Sequence, residues 1–444
     1  MKKLIVMTMV LAVMQGGVFA MRTEYPIGVT IYKPEKCWNG YTLLNQIGGL
    51  NTGKVIFQGG TLSREEKIQR KNKGEAIPLP MELIDMNGKA VHSWNVTTMN
   101  MRCPQLLDNG HLLMSGMQKT KSVAWMNEGH PMEYDWDSKL VWETGVPVER
   151  HGVGGFVERL ENGNTLFIYK MAMPDAARMK ISDPERRKLD GMLSDCIAEV
   201  TPDGEFVWDW KSHDHLDLDG WLRNDPSPNW THFNNIQSLP ENKWFDQGDK
   251  RFRPGNILVS GRTLGYIFII EKSSGEIVWR YYGDYMGGLS GQHSPNMISK
   301  GYPGEGNILV FDNGQSPLGA DTHGGRTFIL EINPTSNKIE WLYDNGYYFF
   351  ASYGGDCERL PNGNTLIAEP WGKRVFEVTM EGEIVWEYVG DPRVMDILMD
   401  ATRVPYDYTP QLAALPKPKE KEVAPSEHTI TKPLNCGRKE EGWR

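Results

Sequence analysis

Three histidines in this chain stand in similar surroundings. Arg150-His151 precedes Phe156-VERL, Thr231-His232 precedes Ile236-QSL, and Gln292-His293 precedes Met297-IS. A neutral imidazole is a nucleophile that can divide one group transfer into two easier steps. Its pKa near working pH also suits it to general acid–base work. A second recurring position follows the return strand of each unit and carries a cation: Lys170, Arg262, Arg326 and, in Lys373-Arg374, Arg374. Fixed guanidinium groups favour planar, bidentate oxyanion binding. Histidines and cations converging on one opening make an anion site, even in a chain of net charge −9.

Convergence depends on the elements that carry these residues, and those repeat. One phrase, a run of β-formers, a turn and a short apolar run, ends on Trp94, Trp142, Trp208, Trp279, Trp341 and Trp386. Its D-G, S-G, N-G and E-G steps tolerate the positive φ of tight hairpin turns, and its flanks alternate with the period of strands. A second phrase lies between successive copies, as in Gln105-LLDNGHLLMSG, Val157-ERLENGNTLFIYK and Glu358-RLPNGNTLIAE. Two hairpins per unit give four antiparallel strands, one propeller blade. The expected fold is all-β, a six-bladed β-propeller over 21–408, with the tryptophans packing between blades. The last Trp phrase lacks a following hairpin, and Gly28-VTIYKP is expected to supply the missing strands and close the ring. Repeat-equivalent positions superpose about the axis, so His151, His232 and His293 are expected to face one central site.

The two ends read differently. Lys2 and Lys3, the apolar run Leu4 to Val13 and Val18-Phe19-Ala20 have the pattern of a secretory signal peptide over 1–20, so a periplasmic or secreted protein is expected. Residues 409–444, rich in Pro, Lys and Glu, read as an extended strap or disordered tail. The acidic balance argues against a nucleic-acid partner, and no later run has the length of a membrane span. Five cysteines without a C-x-x-C exclude a zinc knuckle. A closed ring would bring Cys37 and Cys436, near opposite ends, together. In Ser212-HDHLDLDG, His213, His215, Asp214, Asp217 and Asp219 offer metal-ligand types. The closing Glu of a calcium loop is missing, so the segment reads as an acidic loop, and neither a metal nor a cofactor is expected.

Several stretches together resemble the bacterial aryl-sulfate sulfotransferase family: Trp230-THFNNIQSL, Gly275-EIVWRYYGDY, Gly291-QHSPNMISKGYPGEGNILVFDNG and Arg359-LPNGNTLI. The likeness runs in order over most of residues 28 to 408. It implies transfer of a sulfuryl group from an aryl sulfate to a phenolic acceptor through a sulfated histidine, without a nucleotide donor. His232 matches the W-x-H-x-N histidine and His293 the Q-H histidine, and Arg326 follows the D-N-G segment. The chain departs from the family ahead of Glu358-RLPNGNTLI, where Phe349-FASYGGDC holds no histidine; His323, in Asp321-THGGR, is the nearest substitute. Trp230, Tyr347, Tyr348, Phe349 and Trp371 are candidates to stack on an aryl ring. A non-catalytic propeller binding an anion or a protein, and a propeller lyase or hydrolase acting on acidic sugars, remain alternatives.

Overall fold

The computed structural model describes residues 26–47, 65–66, 69, 81–96, 99–117, 129–144, 150–189, 191–220, 229–315, 323–395, 397–426 and 435–438. The leader reading of residues 1–20 lies outside them. Six antiparallel sheets surround one axis. From the inside outward, blade 1 is Ile397–Val404, Tyr41–Ile47, Met81–Ile84 and Ala90–Trp94. Blade 2 is Met99–Leu106, Leu112–Met117, Gly129–Tyr134 and Leu140–Glu143, and blade 3 is Arg150–Arg159, Thr165–Ala172, Leu193–Val200 and Phe206–Lys211. Blade 4 is Phe233–Ser238, Ile257–Gly261, Tyr266–Ile270 and Ile277–Tyr281. Blade 5 is His293–Met297, Ile308–Asp312, Phe328–Asn333 and Lys338–Asp344. Blade 6 is Asp356–Arg359, Thr365–Glu369, Arg374–Val378 and Ile384–Val389.

The middle strands are continuous apolar runs because both of their faces are covered. Leu309 packs toward blade 6 while its neighbour Val310 packs toward blade 4, and Leu366 and Ile367 divide in the same way between blades 1 and 5. The core is therefore a set of wedges between blades, with each fully buried aliphatic or aromatic side chain contributing about 1.5–3 kcal/mol.

Two belts of polar contacts join the blades. At the periphery, the indole N–H of Trp142 donates to Pro202 O at 2.7 Å, Trp208 to Lys272 O at 3.0 Å, and Trp279 to Pro334 O at 2.8 Å. Trp341 donates to Met380 O and Trp386 to Met86 O, each at 2.8 Å. Every acceptor is a turn carbonyl of the following blade. Trp94 instead meets Trp136 of that turn edge-on, with centroids 5.4 Å apart. At the axis, Gln105 accepts Arg159 N–H at 3.0 Å and Glu158 accepts Ser238 N–H at 2.8 Å. Gln237 accepts Met297 N–H at 2.7 Å, and Glu358 accepts Arg403 N–H at 2.6 Å. Each of these bonds also crosses to the next blade.

Ring closure differs from the expectation. Tyr41–Ile47 pairs with Ile397–Val404 and so joins the two ends of the chain inside blade 1. Gly28–Tyr32 lies instead on the outer edge of blade 6, against Ile384–Val389. Both stretches have the composition of short strands, and only the partner decides which is inner and which is edge. The described part of the tail is a strap: Leu412 is buried beside blade 1 and Val423 pairs with Tyr32. Asn435–Arg438 then extends blade 5 by pairing with Lys338–Asp344. These added strands cover the outer edges of blades 5 and 6, edges that otherwise template aggregation. All five cysteines are free thiols. Cys37 Sγ faces Val385 O at 3.3 Å and Cys436 Sγ faces Met380 O at 3.7 Å, so the two are held apart by separate backbone partners. Among the described residues no helix is long and apolar enough to cross a membrane.

Candidate active site

The inner strands all begin at one end of the ring, here the upper face. His151, His232 and His293 precede the axial positions Glu158, Gln237 and Asn296 by seven, five and three residues. Bulges absorb much of that spread. His151 pairs with Lys170 and the carbonyl of His232 accepts Arg262 N–H, both four residues past the partner of the axial position. His293 pairs with Phe311, two residues short of that level, but its ring reaches Asn313 at the shared level. The side chain of His151 lies outside the described residues.

His293 is the most closely specified of these groups. Its Nδ1 lies 2.7 Å from Asn313 Oδ1. The Asn313 amide donates to Ala351 O at 2.8 Å and Gly354 O at 2.9 Å, which fixes its oxygen as the acceptor. The proton therefore sits on His293 Nδ1. Gly354 N–H donates to Nε2 at 3.2 Å, so that nitrogen carries the lone pair and the ring is a neutral imidazole, a tautomer assigned from its network. Neighbouring residues fix the backbone. Gln292 is fully buried, and its amide donates back to Gly261 O and Tyr266 O of blade 4 at 3.0 and 3.1 Å. Asn234, the asparagine of W-x-H-x-N, donates to Gln292 O at 2.8 Å. Ser294, at φ +45°, donates to Gly355 O of the blade 6 approach at 2.9 Å. Gly355 is required there, because at φ +105° a Cβ would lie 2.5 Å from the Phe311 ring.

The other nominated groups are held differently. His232 is half-buried and adopts φ +46°, left-handed for a non-glycine residue. His323 is buried with Nε2 3.0 Å from Asp312 Oδ2, and Asp312 Oδ1 accepts Ser290 N–H at 2.8 Å, so this pair braces the approach to His293 from beneath. Three of the four nominated cations are matched by acids. Lys170 is buried against Asp195. Arg326 pairs with the fully buried Asp344 and lies over the Phe328 ring. Arg374 pairs with Glu369 and, at 2.9 Å, with Glu387; burial lowers its pKa, but these carboxylates outweigh that and raise it further above its ordinary high value. Arg262 is half-buried beside His232. The partners were not legible in advance because each is distant along the chain or in another strand.

Two features were missed in the sequence. Below the histidines the inner strands enclose a cavity of about 470 Å³ lined by Glu158, Asp356, Glu358 and Asp400. Burial pushes Glu158 up to about 7 and Glu358 up to about 8. Burial, with Asp400 adding to it, pushes Asp356 up to about 7. The signal was present: Gln105 and Glu358 each open a copy of the second phrase. The asparagines Asn234 and Asn313 were likewise inside quoted motifs. Of the candidate aromatics, Trp230 and Phe349 are fully buried core. Tyr347 and Tyr348 are exposed, and Trp371 meets Tyr353 edge-on at 4.9 Å on the same face. In the 212–219 segment His215 stacks on Trp210, His213 is buried and its pKa lowered by that burial, and Asp219 caps Ser182. Among the described residues no three ligating side chains gather as a metal site.

Solved structures that match the chain include a protein of unknown function from Bacteroides caccae. It is 14% identical at a TM-score of 0.47, over 82% of this chain and 98% of that one. A virginiamycin B lyase from Staphylococcus aureus is 14% identical at a TM-score of 0.35, over 66% and 71%. No curated protein matches the chain. A family model described as arylsulfotransferase (ASST) matches residues 103–391, from the inner strand of blade 2 to the end of blade 6.

Proposed function

The chain belongs to the arylsulfotransferase (ASST) family, and from that premise we propose that it moves a sulfuryl group from an aryl sulfate to a phenolic acceptor through His293, without a nucleotide donor. The observation that carries this reading is the tautomer of His293, whose Nε2 lone pair points at the Gly354 N–H. In the first step Nε2 attacks sulfur, the N–S bond forms, and the S–O bond to the aryl group breaks with its electron pair leaving as aryl oxide. Asn313 Oδ1 stabilises the positive charge that develops on the ring through the Nδ1 proton. The Gly354 N–H, released from the lone pair, is positioned to donate to a sulfuryl oxygen. In the second step the acceptor oxygen attacks sulfur, His232 takes its proton, and the electron pair of the N–S bond returns to Nε2. Tyr353 and Trp371 supply an exposed aromatic platform for the aryl group.

Binding of an anion without transfer is a second reading. It draws on Gly354 N–H occupying Nε2 and on the lack of histidine in residues 349–355. One assay separates the two. Purified protein is mixed with 4-nitrophenyl sulfate and a phenol, and nitrophenolate is followed. Acceptor-dependent release that is lost in His293→Ala, with a sulfated peptide mapping to His293, supports transfer. Release no greater than that of His293→Ala would sink it, and a sulfated peptide containing another histidine would reassign the nucleophile.

A further inference from the structure

Resting on the sulfuryl-transfer reading above, we infer that Asp195 is a positioning residue for His232, with Lys170 as its countercharge rather than as a ligand for the substrate anion. A histidine at φ +46° carries a conformational cost that its surroundings must offset. Here one carboxylate oxygen does so. Asp195 Oδ2 accepts Thr231 Oγ–H at 2.5 Å and Phe233 N–H at 2.9 Å, the residues on either side of His232. From the other side, Arg262 N–H donates to His232 O at 3.1 Å and Thr263 N–H to Thr231 O at 3.3 Å. The segment is thus gripped by blade 3 and blade 4 together, which fixes the backbone from which the imidazole departs. Asp195 has no exposed surface, and a buried carboxylate requires a paired cation. Lys170 Nζ meets its other oxygen.

Position matters because His232 must accept the acceptor's proton while the acceptor oxygen bonds to sulfur and the N–S bond breaks. A base displaced by a fraction of an ångström from its line of approach loses rate without losing substrate affinity. Thr231→Val removes one of the donors to Asp195 Oδ2 and keeps the shape. The double variant Lys170→Met/Asp195→Asn removes both charges and leaves neither ion buried alone. The expected losses in acceptor-dependent kcat are about tenfold for the first and about a hundredfold for the second, with the donor KM nearly unchanged. In a His232→Ala background neither change lowers kcat further, since both act through the missing ring. Losses that multiply with His232→Ala, or wild-type rates in both variants, overturn the assignment. A readout independent of turnover is the pair of ring ¹⁵N resonances of His232. They shift in both variants if the grip positions the ring, and unchanged resonances overturn the role. If the wild-type protein transfers no sulfuryl group, the transfer reading falls and the resonances alone decide whether Asp195 sets the ring.

Discussion

At the periphery of the ring the same bond is made at successive interfaces, whereas at the upper face the histidines of blades 3, 4 and 5 recur beside partners that differ from blade to blade. Trp142, Trp208, Trp279, Trp341 and Trp386 all reach a turn carbonyl of the next blade. At the level of the histidines, Lys170, Arg262 and Asn313 occupy one register with three chemistries, held respectively by Asp195, beside His232, and against His293. The difference follows from the two tasks. Closing a ring poses the same geometric problem between every pair of neighbours, so one solution repeats. A site on the axis faces each blade from a different direction, so the groups around it diverge. Repetition of residue and partner together marks the scaffold, and a repeated residue with divergent partners marks the site.

The largest way to break that comparison is to remove a staple at ring closure. Trp386 is fully buried, donates to Met86 O of blade 1 and carries the Arg403 guanidinium 4.6 Å above its ring. Trp386→Ala should cost about 3–5 kcal/mol, read from the denaturant midpoint, while the molecules that remain folded turn over normally. Turnover lost with the midpoint unmoved would make the belt part of the site. The converse test is Asn313→Ala, at the face. It frees Ala351 O and Gly354 O and takes the acceptor from His293 Nδ1. The expected fall in kcat is about a hundredfold, some 2.7 kcal/mol of barrier, well beyond the rate change in Trp386→Ala.

How much of this was legible in sequence differs between the two regions for the same reason. The hairpin phrases announce blades because turn residues and strand periodicity are local properties. The role of Gln105 or Glu358 depends on which N–H the next blade presents, and no spacing encodes it. Gly28–Tyr32 and Tyr41–Ile47 are both short β-rich runs, and their exchange of inner and edge positions is decided by partners more than 350 residues away. The histidines were found by chain position, yet their unequal offsets are reconciled only by bulges. The charges of Lys170 and Arg374 are plain in the sequence, but the fold pairs each with a carboxylate, Asp195 for one and Glu369 with Glu387 for the other. Residue type is written in the sequence, whereas commitment to a partner is written in the fold.

A smaller effect sharpens the axial belt. Gln105 and Gln237 accept their N–H groups as neutral amides, while Glu358 does so as a carboxyl group raised by burial from 4.5 to about 8. Between those two values the unfolded chain is ionised while the folded one keeps its proton, so folded Glu358 binds more protons. Stability from this group is therefore full below pH 4.5 and falls as pH rises toward 8. Glu358→Gln keeps the acceptor for Arg403 N–H and has nothing to ionise. Its melting temperature should fall less steeply than the wild type's across that window and exceed it above pH 8. Identical slopes would mean that Glu358 is hydrated in the folded protein.

The smallest effect grades the peripheral belt itself. Trp208 is half-buried, and its indole N–H donates to Lys272 O at 3.0 Å. Trp208→Phe retains most of the ring contact and loses that one bond, and the carbonyl left behind can turn to water at a half-open surface. The cost should be about 1 kcal/mol, measured as a shift of the denaturant midpoint at constant slope. Trp386→Phe removes the same bond where water cannot replace it, and should cost more because Met86 O is then left unsatisfied. Equal costs at the two sites would mean that packing alone holds the ring and that the recurring indole bond merely follows from it. A clear difference would identify burial of the staple, rather than its repetition, as the source of its strength.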